Sequence, residues 1–185
     1  MIIQDIEFTL KDGRNAVIRS PREEDIPAIL DYLVVTAGET DFLTRYPEEC
    51  REYTPELEKA FIDRINASDN EIMLLCLVEG KMAGNSRILW NTDIKTRHRA
   101  NIGIALMSDY WNLGIGTKLF QEMIRIAEEN EYILQLELDF IEGNSRARAL
   151  YEKMGFRITG VKPNAIRLKD GTLLNEYSMI REIRR

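Results

Sequence analysis

The stretch Asp109-Tyr110-Trp111-Asn112-Leu113-Gly114-Ile115-Gly116-Thr117 lies where an apolar strand pattern stops and a helical pattern begins. The preceding residues 102–107 alternate bulky and small side chains, as a half-buried strand does, and apolar residues recur at helical spacing from Leu119 to Ala127. Gly114 and Gly116 allow several backbone N–H groups to point outward together, and the first helical turn adds unpaired donors and a positive dipole end. The stretch therefore predicts a cradle for a phosphate or pyrophosphate, although a Gly-x-Gly alone is also typical of a tight turn.

Length and composition favour one soluble globular domain spanning residues 1–185. Hydrophobic residues make up 44% of the chain and charged residues 30%. The longest uninterrupted apolar run, Ile72 to Val78, is far shorter than the about 20 residues that a membrane span needs. The first residues contain neither a basic region nor a long apolar stretch, so we expect no secretory signal and a cytoplasmic protein.

The charged and metal-binding residue types narrow the possible functions. A net charge of −6 argues against nucleic-acid binding by phosphate neutralisation and favours cationic partners. The single histidine, His98, lies between two arginines and is expected in a surface loop, so a zinc site with two histidines is excluded. Cys76 is predicted to be a small core residue and Cys50 to lie in a polar loop, a pair that indicates neither a disulfide framework nor a metal site.

Apolar periodicity and turn residues predict the order of the elements. The N-terminal half is expected to begin with a hairpin that has a two-residue turn at Asp12-Gly13, followed by a helix opened by Ser20-Pro21 and ended by Gly38. A carboxylate-rich loop over Glu39–Tyr53 and a helix from Thr54 to about Ser68 should come next. This half then ends with a central strand over Ile72–Val78 and a strand over Met82–Leu89. The C-terminal half is expected to begin with a strand over Ile102–Met107 and a helix over Thr117–Glu129 that a left-handed Asn130 ends. A strand over Leu134–Phe140 and a helix from Asn144 to Gly155-Phe156 should follow. The last elements are strands over Phe156–Val161 and Leu174–Ile180, with a turn at Asp170-Gly171 between them.

Two segments at a fixed separation resemble the GNAT superfamily of N-acetyltransferases. The first, Tyr110 to Thr117, is similar to the family's pyrophosphate-binding loop, usually written Arg/Gln-x-x-Gly-x-Gly/Ala. The second, Asn144 to Phe156, is similar to its Asn-x-x-Ala-x-x-Leu-Tyr-x-x-x-Gly-Phe element. Trp111 departs from the pattern because it stands where the arginine or glutamine would be. This variant looks like the branch related to ribosomal-protein and polyamine acetyltransferases.

The resemblance implies both the fold and the donor site. The fold would be α/β, with a mixed, mostly antiparallel, twisted sheet of six or seven strands and helices on both faces. The donor would be acetyl-coenzyme A, lying between strands 102–107 and 134–140, which would splay apart. Its pyrophosphate and pantetheine would contact the backbone of Leu113, Gly114, Ile115, Gly116 and Thr117, the strand edge at Ile104, Leu106 and Met107, and Asn144.

The resemblance also implies functional roles for several side chains, and for each of them a purely structural role remains an alternative. Tyr151 matches the family tyrosine near the thioester sulfur, where its hydroxyl can stabilise or protonate the leaving thiolate, and is otherwise a packed aromatic. Asn144 contacts the pantetheine, caps its helix, or does both. Three cations could reach the 3′-phosphate of the coenzyme or be solvated surface charges: Arg146, Arg148 and Lys153.

The acceptor side is less clear from the sequence. We expect transfer of an acetyl group to a primary amine, small and polyamine-like or on a peptide, by direct attack in a ternary complex. A lysine-like amine has a pKa of about 10.4, so its neutral form costs roughly 4 to 5 kcal/mol at pH 7 and a base would help. Relatives often have a glutamate near the position of Asn101; the candidates here are Glu39, Asp41 or a water relay.

Two alternatives to an enzyme are a non-catalytic acyl-coenzyme A binder or sensor and a nucleotide-binding Gly-x-Gly turn. The latter lacks both the Lys-Ser/Thr of a P-loop and the third glycine of a dinucleotide fold. The sequence does not indicate the oligomeric state.

Overall fold

The backbone forms eight strands and five helices in a computed structural model that describes residues 1–183. The strands are β1 Ile6–Thr9, β2 Asn15–Arg19, β3 Glu71–Val78, β4 Lys81–Trp90, β5 Arg99–Leu106, β6 Gln135–Ile141, β7 Arg157–Arg167 and β8 Leu173–Glu182. The helices are α1 Ile26–Gly38, α2 Pro47–Cys50, α3 Pro55–Ala67, α4 Ile115–Glu129 and α5 Ser145–Lys153, with single 3₁₀ turns at Glu23–Asp25 and Ser108–Tyr110.

The strands make one sheet in the order β1-β2-β3-β4-β5-β6-β8-β7. Only β5 and β6 are parallel, so the predicted mixed, mostly antiparallel sheet is confirmed. The predicted count of six or seven strands was too low, because both terminal hairpins add their outer strands to the same sheet.

Helices cover both faces of the sheet, as predicted. Every residue of β3 is buried, and its side chains alternate between two clusters. Leu74 and Cys76 lie in the larger cluster with α4, on what we call the α4 face. Met73 and Leu75 pack with α1 and α3 on the opposite face, the α1 face. The apolar run recognised in the sequence is thus an interior strand of the sheet that is covered on both faces, as predicted.

The two parallel strands separate soon after they begin. Pairing between β5 and β6 runs only from Arg99 opposite Gln135 to Asn101 opposite Glu137. Beyond this point β5 pairs with β4, and β6 pairs with β8. The two facing edges therefore leave a gap, which confirms the predicted splay.

Several local predictions near the N-terminus were wrong. The first hairpin turns over five residues, 10–14, because the Leu10 N–H donates to the Arg14 carbonyl. Ser20 does not open a helix, since its hydroxyl accepts a hydrogen bond from the Ile3 N–H and α1 starts only at Ile26.

Three further boundaries differ from the sequence expectation. The carboxylate-rich loop contains the short helix α2, whose contacts with α1 leave Cys50 buried rather than in a polar loop. Helix α4 begins at Ile115 because Gly114 already serves as its N-cap. Asn130 ends α4 in an extended conformation, with φ of −87°, and not in the left-handed one.

The buried pair of Arg19 and Asp25 gives a stability prediction. Two hydrogen bonds of 2.6 and 2.7 Å join the guanidinium to the carboxylate, and both side chains are under 10% exposed. Burial alone would raise the pKa of Asp25, but the hydrogen bonds from Arg19 and from the Arg22 N–H bring it below its ordinary value. The stabilisation is therefore present above the unfolded pKa of about 3.9 and is lost as pH falls through the folded pKa.

Asp25→Asn should lower the free energy of unfolding by about 3 kcal/mol at neutral pH, because it leaves a buried guanidinium without a counter-charge. Urea denaturation measures this. Asp5→Asn is the matched control: Asp5 pairs with Arg22 at the exposed surface and should cost below about 1 kcal/mol. Equal losses in the two variants would contradict the assignment.

Candidate active site

A cavity of about 450 Å³ lies in the gap between β5 and β6. It is lined by Thr36, Glu39, Thr40, Phe42, Leu43, Ile102, Gly103, Ile104, Ala105, Leu106, Trp111, Phe120, Leu138, Asp139, Phe140, Ile141, Gly143, Asn144, Ser145, Arg146, Ala147, Leu150 and Tyr151. These residues come from α1 and the segment after it on one face, and from α4 and α5 on the other. The cavity thus crosses the sheet where the strands separate.

The predicted cradle lies beside this cavity, at the start of α4. Gly114 has φ of +98°, a conformation that glycine adopts without strain. A Cβ added to Gly116 would lie 2.9 Å from the Leu150 side chain, and it would also contact Leu106 and Ile104. All three of these neighbours line the cavity. The glycines therefore leave room for a ligand backbone to approach the N–H groups at the helix start, as a diphosphate requires.

The free edge of β5 presents two of the three predicted contact positions. Ile104 and Leu106 line the cavity. Met107 has both backbone groups engaged within the protein: its N–H donates to the Ala83 carbonyl of β4, and its carbonyl accepts from the Tyr110 N–H. Because backbone groups alternate sides along a strand, the N–H groups of Ile104 and Leu106 face the gap.

Asn144 combines a structural contact with a place in the cavity wall. Its side-chain oxygen accepts a 3.2 Å hydrogen bond from the Ala147 N–H and caps α5. Within residues 1–183 its side-chain NH₂ group has no hydrogen-bond partner. The amide donors are therefore open to a ligand while the oxygen holds the helix.

Tyr151 projects from α5 into an aromatic setting, and only 7% of it is exposed. Its ring lies 5.4 Å from that of Phe120 and 6.0 Å from that of Phe140, measured between centroids. Burial raises the pKa of its hydroxyl to about 12. Among the described residues the hydroxyl has no hydrogen-bond partner, and the side chain lines the cavity. It is thus a protonated donor at neutral pH.

The cation near the cradle is held by an aromatic residue that departs from the family pattern. The Arg146 guanidinium carbon lies 3.6 Å from the centre of a Trp111 ring, and the Trp111 indole N–H donates to the Leu106 carbonyl at 2.9 Å. Arg146 lines the cavity, whereas Arg148 pairs with Glu152 on the surface. No pattern in the sequence predicts this stack.

A second cation near the cradle is Lys11, which lies in the turn of the first hairpin. The sequence patterns did not predict that this turn contacts the cradle. The Lys11 side chain is the nearest neighbour of a Cβ placed on Gly114, with its Cε at 3.9 Å. The Lys11 N–H also donates to the Leu113 carbonyl at 3.3 Å. The turn of the first hairpin therefore packs against the glycine segment.

One of the predicted base candidates lines the cavity on the α1 face. Glu39 accepts hydrogen bonds from the Ser108 N–H at 2.9 Å and from the Ser108 hydroxyl at 2.7 Å. Asp41 is exposed and is not part of the cavity wall, and Asn101 lies in the paired section of β5. Asp139, which the sequence reading missed, lines the cavity and accepts from the Ser178 hydroxyl at 2.6 Å.

Within residues 1–183, His, Cys, Asp and Glu side chains form no group of three or more that could hold a metal ion. No helix in this part of the chain is both long enough and apolar enough to cross a membrane.

Comparison with known proteins matched residues 39–156 to the model of the acetyltransferase (GNAT) family. The L-amino acid N-acetyltransferase AaaT of Escherichia coli (strain K12) is 28% identical over 108 residues, which cover 58% of this chain and 66% of that protein, slightly less than two thirds of its length.

Solved structures give similarity over most of the chain. An acetyltransferase of the GNAT family from Streptococcus pneumoniae aligns with a TM-score of 0.84 and 29% identity, covering 91% of this chain and 99% of that one. The putative acetyltransferase yncA from Salmonella typhimurium, solved with its cofactor acetyl-CoA, aligns with a TM-score of 0.77 over 92% of this chain and 95% of that one. At 17% identity this second likeness shows a common fold.

Proposed function

The chain belongs to the acetyltransferase (GNAT) family, and from that membership we propose that it transfers an acetyl group from acetyl-coenzyme A directly to a primary amine in a ternary complex. The observation that carries the proposal is the cavity through the sheet. Tyr151 lines it on the α4 face, where the glycine cradle lies beside it, and Glu39 lines it on the α1 face. Donor and acceptor could then meet inside the gap from opposite faces, without an acetylated protein group between them.

The donor half is assigned to residues that leave backbone and amide donors open. The N–H groups from Leu113 to Thr117 would hold the pyrophosphate, because α4 begins there and the glycines allow close approach. The facing edge of β5 and the Asn144 amide would hold the pantetheine arm. When bound, acetyl-coenzyme A supplies an activated acyl group on a thiol leaving group.

The acceptor half has a carboxylate in a fixed place. Glu39 is held by two hydrogen bonds from Ser108 and lines the cavity, so we assign it, rather than Asp41 or Asn101, to bind the amine and take up its proton directly or through water. The neutral amine forms a C–N bond with the acyl carbon as the C–S bond breaks. The proton lost by the amine balances the proton that converts the departing thiolate to a thiol.

We assign Tyr151 to stabilise the sulfur of the departing thiolate. Its hydroxyl has no other partner in the described residues and keeps its proton at neutral pH, so it can donate a hydrogen bond as negative charge develops on sulfur. The packing against Phe120 and Phe140 fixes the ring so that this donor needs little reorganisation.

These assignments predict the pH dependence. With a lysine-like acceptor, kcat/KM should rise about tenfold per pH unit from pH 7 toward the amine's pKa of about 10.4, because the neutral fraction rises by that factor. Since burial raises the pKa of Tyr151 to about 12, the hydroxyl stays protonated over this range and should cause no descending limb. Initial rates at saturating acetyl-coenzyme A measure the profile. A descending limb centred between about pH 8 and pH 9 would contradict the role of Tyr151 as a buried donor.

An amine panel followed by free-thiol release tests the proposed function. Turnover with at least one class of primary amine is expected. A protein that binds acetyl-coenzyme A by calorimetry and turns over no member of a broad panel would instead fit the second candidate function, a non-catalytic acyl-coenzyme A sensor.

A further inference from the structure

Among residues 1–183, the acceptor half of the cavity, on the α1 face, is lined by two carboxylates and no cation. Alternation along β6 places Asp139 on the face opposite Leu138 and Phe140, which belong to the α4-face cluster. Glu39 follows α1 on the same side as Asp139. In the part of the chain that the structure describes, the one cation lining the cavity is Arg146, which is stacked on Trp111 beside the cradle.

Both carboxylates are held by neutral donors. Glu39 accepts from the N–H and hydroxyl of Ser108, and Asp139 accepts from the Ser178 hydroxyl. Neither has a Lys or Arg partner within residues 1–183. The contrast with Glu137, two residues earlier on β6, is direct, because Glu137 is paired with Arg99 at 2.5 and 2.7 Å. The charges of Glu39 and Asp139 are therefore left for a ligand.

Apolar groups complete this half of the cavity. Phe42 closes against the turn between β6 and α5, where its ring would lie 3.4 Å from a Cβ on Gly143. Leu43 and Ile141 line the same region. An acceptor with an apolar body and a positively charged amino end fits these surroundings.

We propose that this half of the cavity selects amines that carry no carboxylate beside the amino group and excludes free α-amino acids. The inference rests on the proposed acetyl transfer and defines its acceptor class. A carboxylate next to the reacting amine would meet the half-buried Glu39 and the exposed Asp139, and no cation of residues 1–183 lines this half of the cavity to bind it. Like charges would therefore oppose binding. The acceptor class thus differs from that of the relative named for L-amino acids.

The test compares L-phenylalaninamide with L-phenylalanine, which differ only in the carboxylate. We expect kcat/KM, corrected for the neutral fraction of each amine, to be at least about tenfold higher for the amide. Calorimetric titration of both compounds into protein saturated with coenzyme A should likewise give a lower Kd for the amide than for the free amino acid. Equal values, or a preference for the free amino acid, would overturn the proposal.

Charge-removing variants connect the preference to these two residues. Glu39→Gln and Asp139→Asn should each reduce the acid-to-amide ratio of Kd by at least about threefold, whatever they do to kcat. Asp31→Asn, an exposed change of the same charge on α1, should leave the ratio unchanged. An unchanged ratio in both cavity variants would also overturn the proposal. If no amine is turned over, the acetyl-transfer proposal fails, and the Kd ratio still decides the binding preference.

Discussion

Gly114→Glu should abolish measurable binding of acetyl-coenzyme A, raising its Kd by at least about 100-fold, while the protein stays folded. The new carboxylate would occupy the pyrophosphate position and add like charge to it. The fold should survive because a Cβ at Gly114 meets only the Lys11 side chain, at 3.9 Å. The φ of +98° adds strain of about 1 to 3 kcal/mol, which lowers the melting temperature without unfolding the protein. Titration calorimetry alongside a thermal melt measures both effects.

Gly80→Glu is the matched control for that variant. Gly80 has φ of +79° in the turn between β3 and β4, and a Cβ there meets no atom within 4 Å. The same backbone strain and the same charge are thus introduced away from the cradle. The control should bind acetyl-coenzyme A normally, and near-normal binding by folded Gly114→Glu would remove the cradle assignment.

Tyr151→Phe should lower the rate by about 10²-fold or more, with kcat and kcat/KM falling together. Only the hydroxyl is removed, and in the described residues it has no partner, so the packing with Phe120 and Phe140 is retained. The affinity for acetyl-coenzyme A and the melting temperature should therefore change little. Steady-state kinetics, calorimetry and a thermal melt distinguish this outcome from a structural role.

The control for the second variant is Tyr177→Phe. The Tyr177 ring stacks on the ring of Phe140, which is also a neighbour of Tyr151, and the centroids of Tyr177 and Phe140 are 5.2 Å apart. Tyr177 does not line the cavity. Its variant should keep near-wild-type kcat. If Tyr151→Phe kept wild-type kcat and lost thermal stability, Tyr151 would be a packing residue, and water or another group would protonate the sulfur.

Local sequence patterns were sufficient for the features that depend on neighbouring residues. The alternating and continuous apolar runs gave the sheet strands, and Gly114 before a helical pattern gave the start of α4 to within two residues. Asn144 was recognisable as the N-cap of α5 from its residue type, and Tyr151 as a residue on the apolar side of that helix from helical spacing. Turn length and helix starts were missed where a more distant partner decides them, as when Ser20 bonds to Ile3 instead of capping a helix.

The acceptor half could not be derived because it depends on contacts between distant segments. Glu39 was one of five acidic residues in its loop, and its place in the cavity wall and its hydrogen bonds to Ser108 distinguish it from Asp41. Asp139 and Glu137 alternate identically with apolar neighbours, yet one meets Ser178 and the other Arg99. The Arg146 stack on Trp111 likewise joins two motifs that the sequence shows only as separate.

Quantifying acetylated amine and free thiol in the same reaction is the most direct test of acetyl transfer through this cavity. With the best amine of the panel, wild-type protein should form one N-acetylated amine for each thiol released, and Gly114→Glu should form neither. Thiol release without acetylated amine would show hydrolysis, and cofactor binding without either product across the panel would show a binder; each result would contradict acetyl transfer through this cavity.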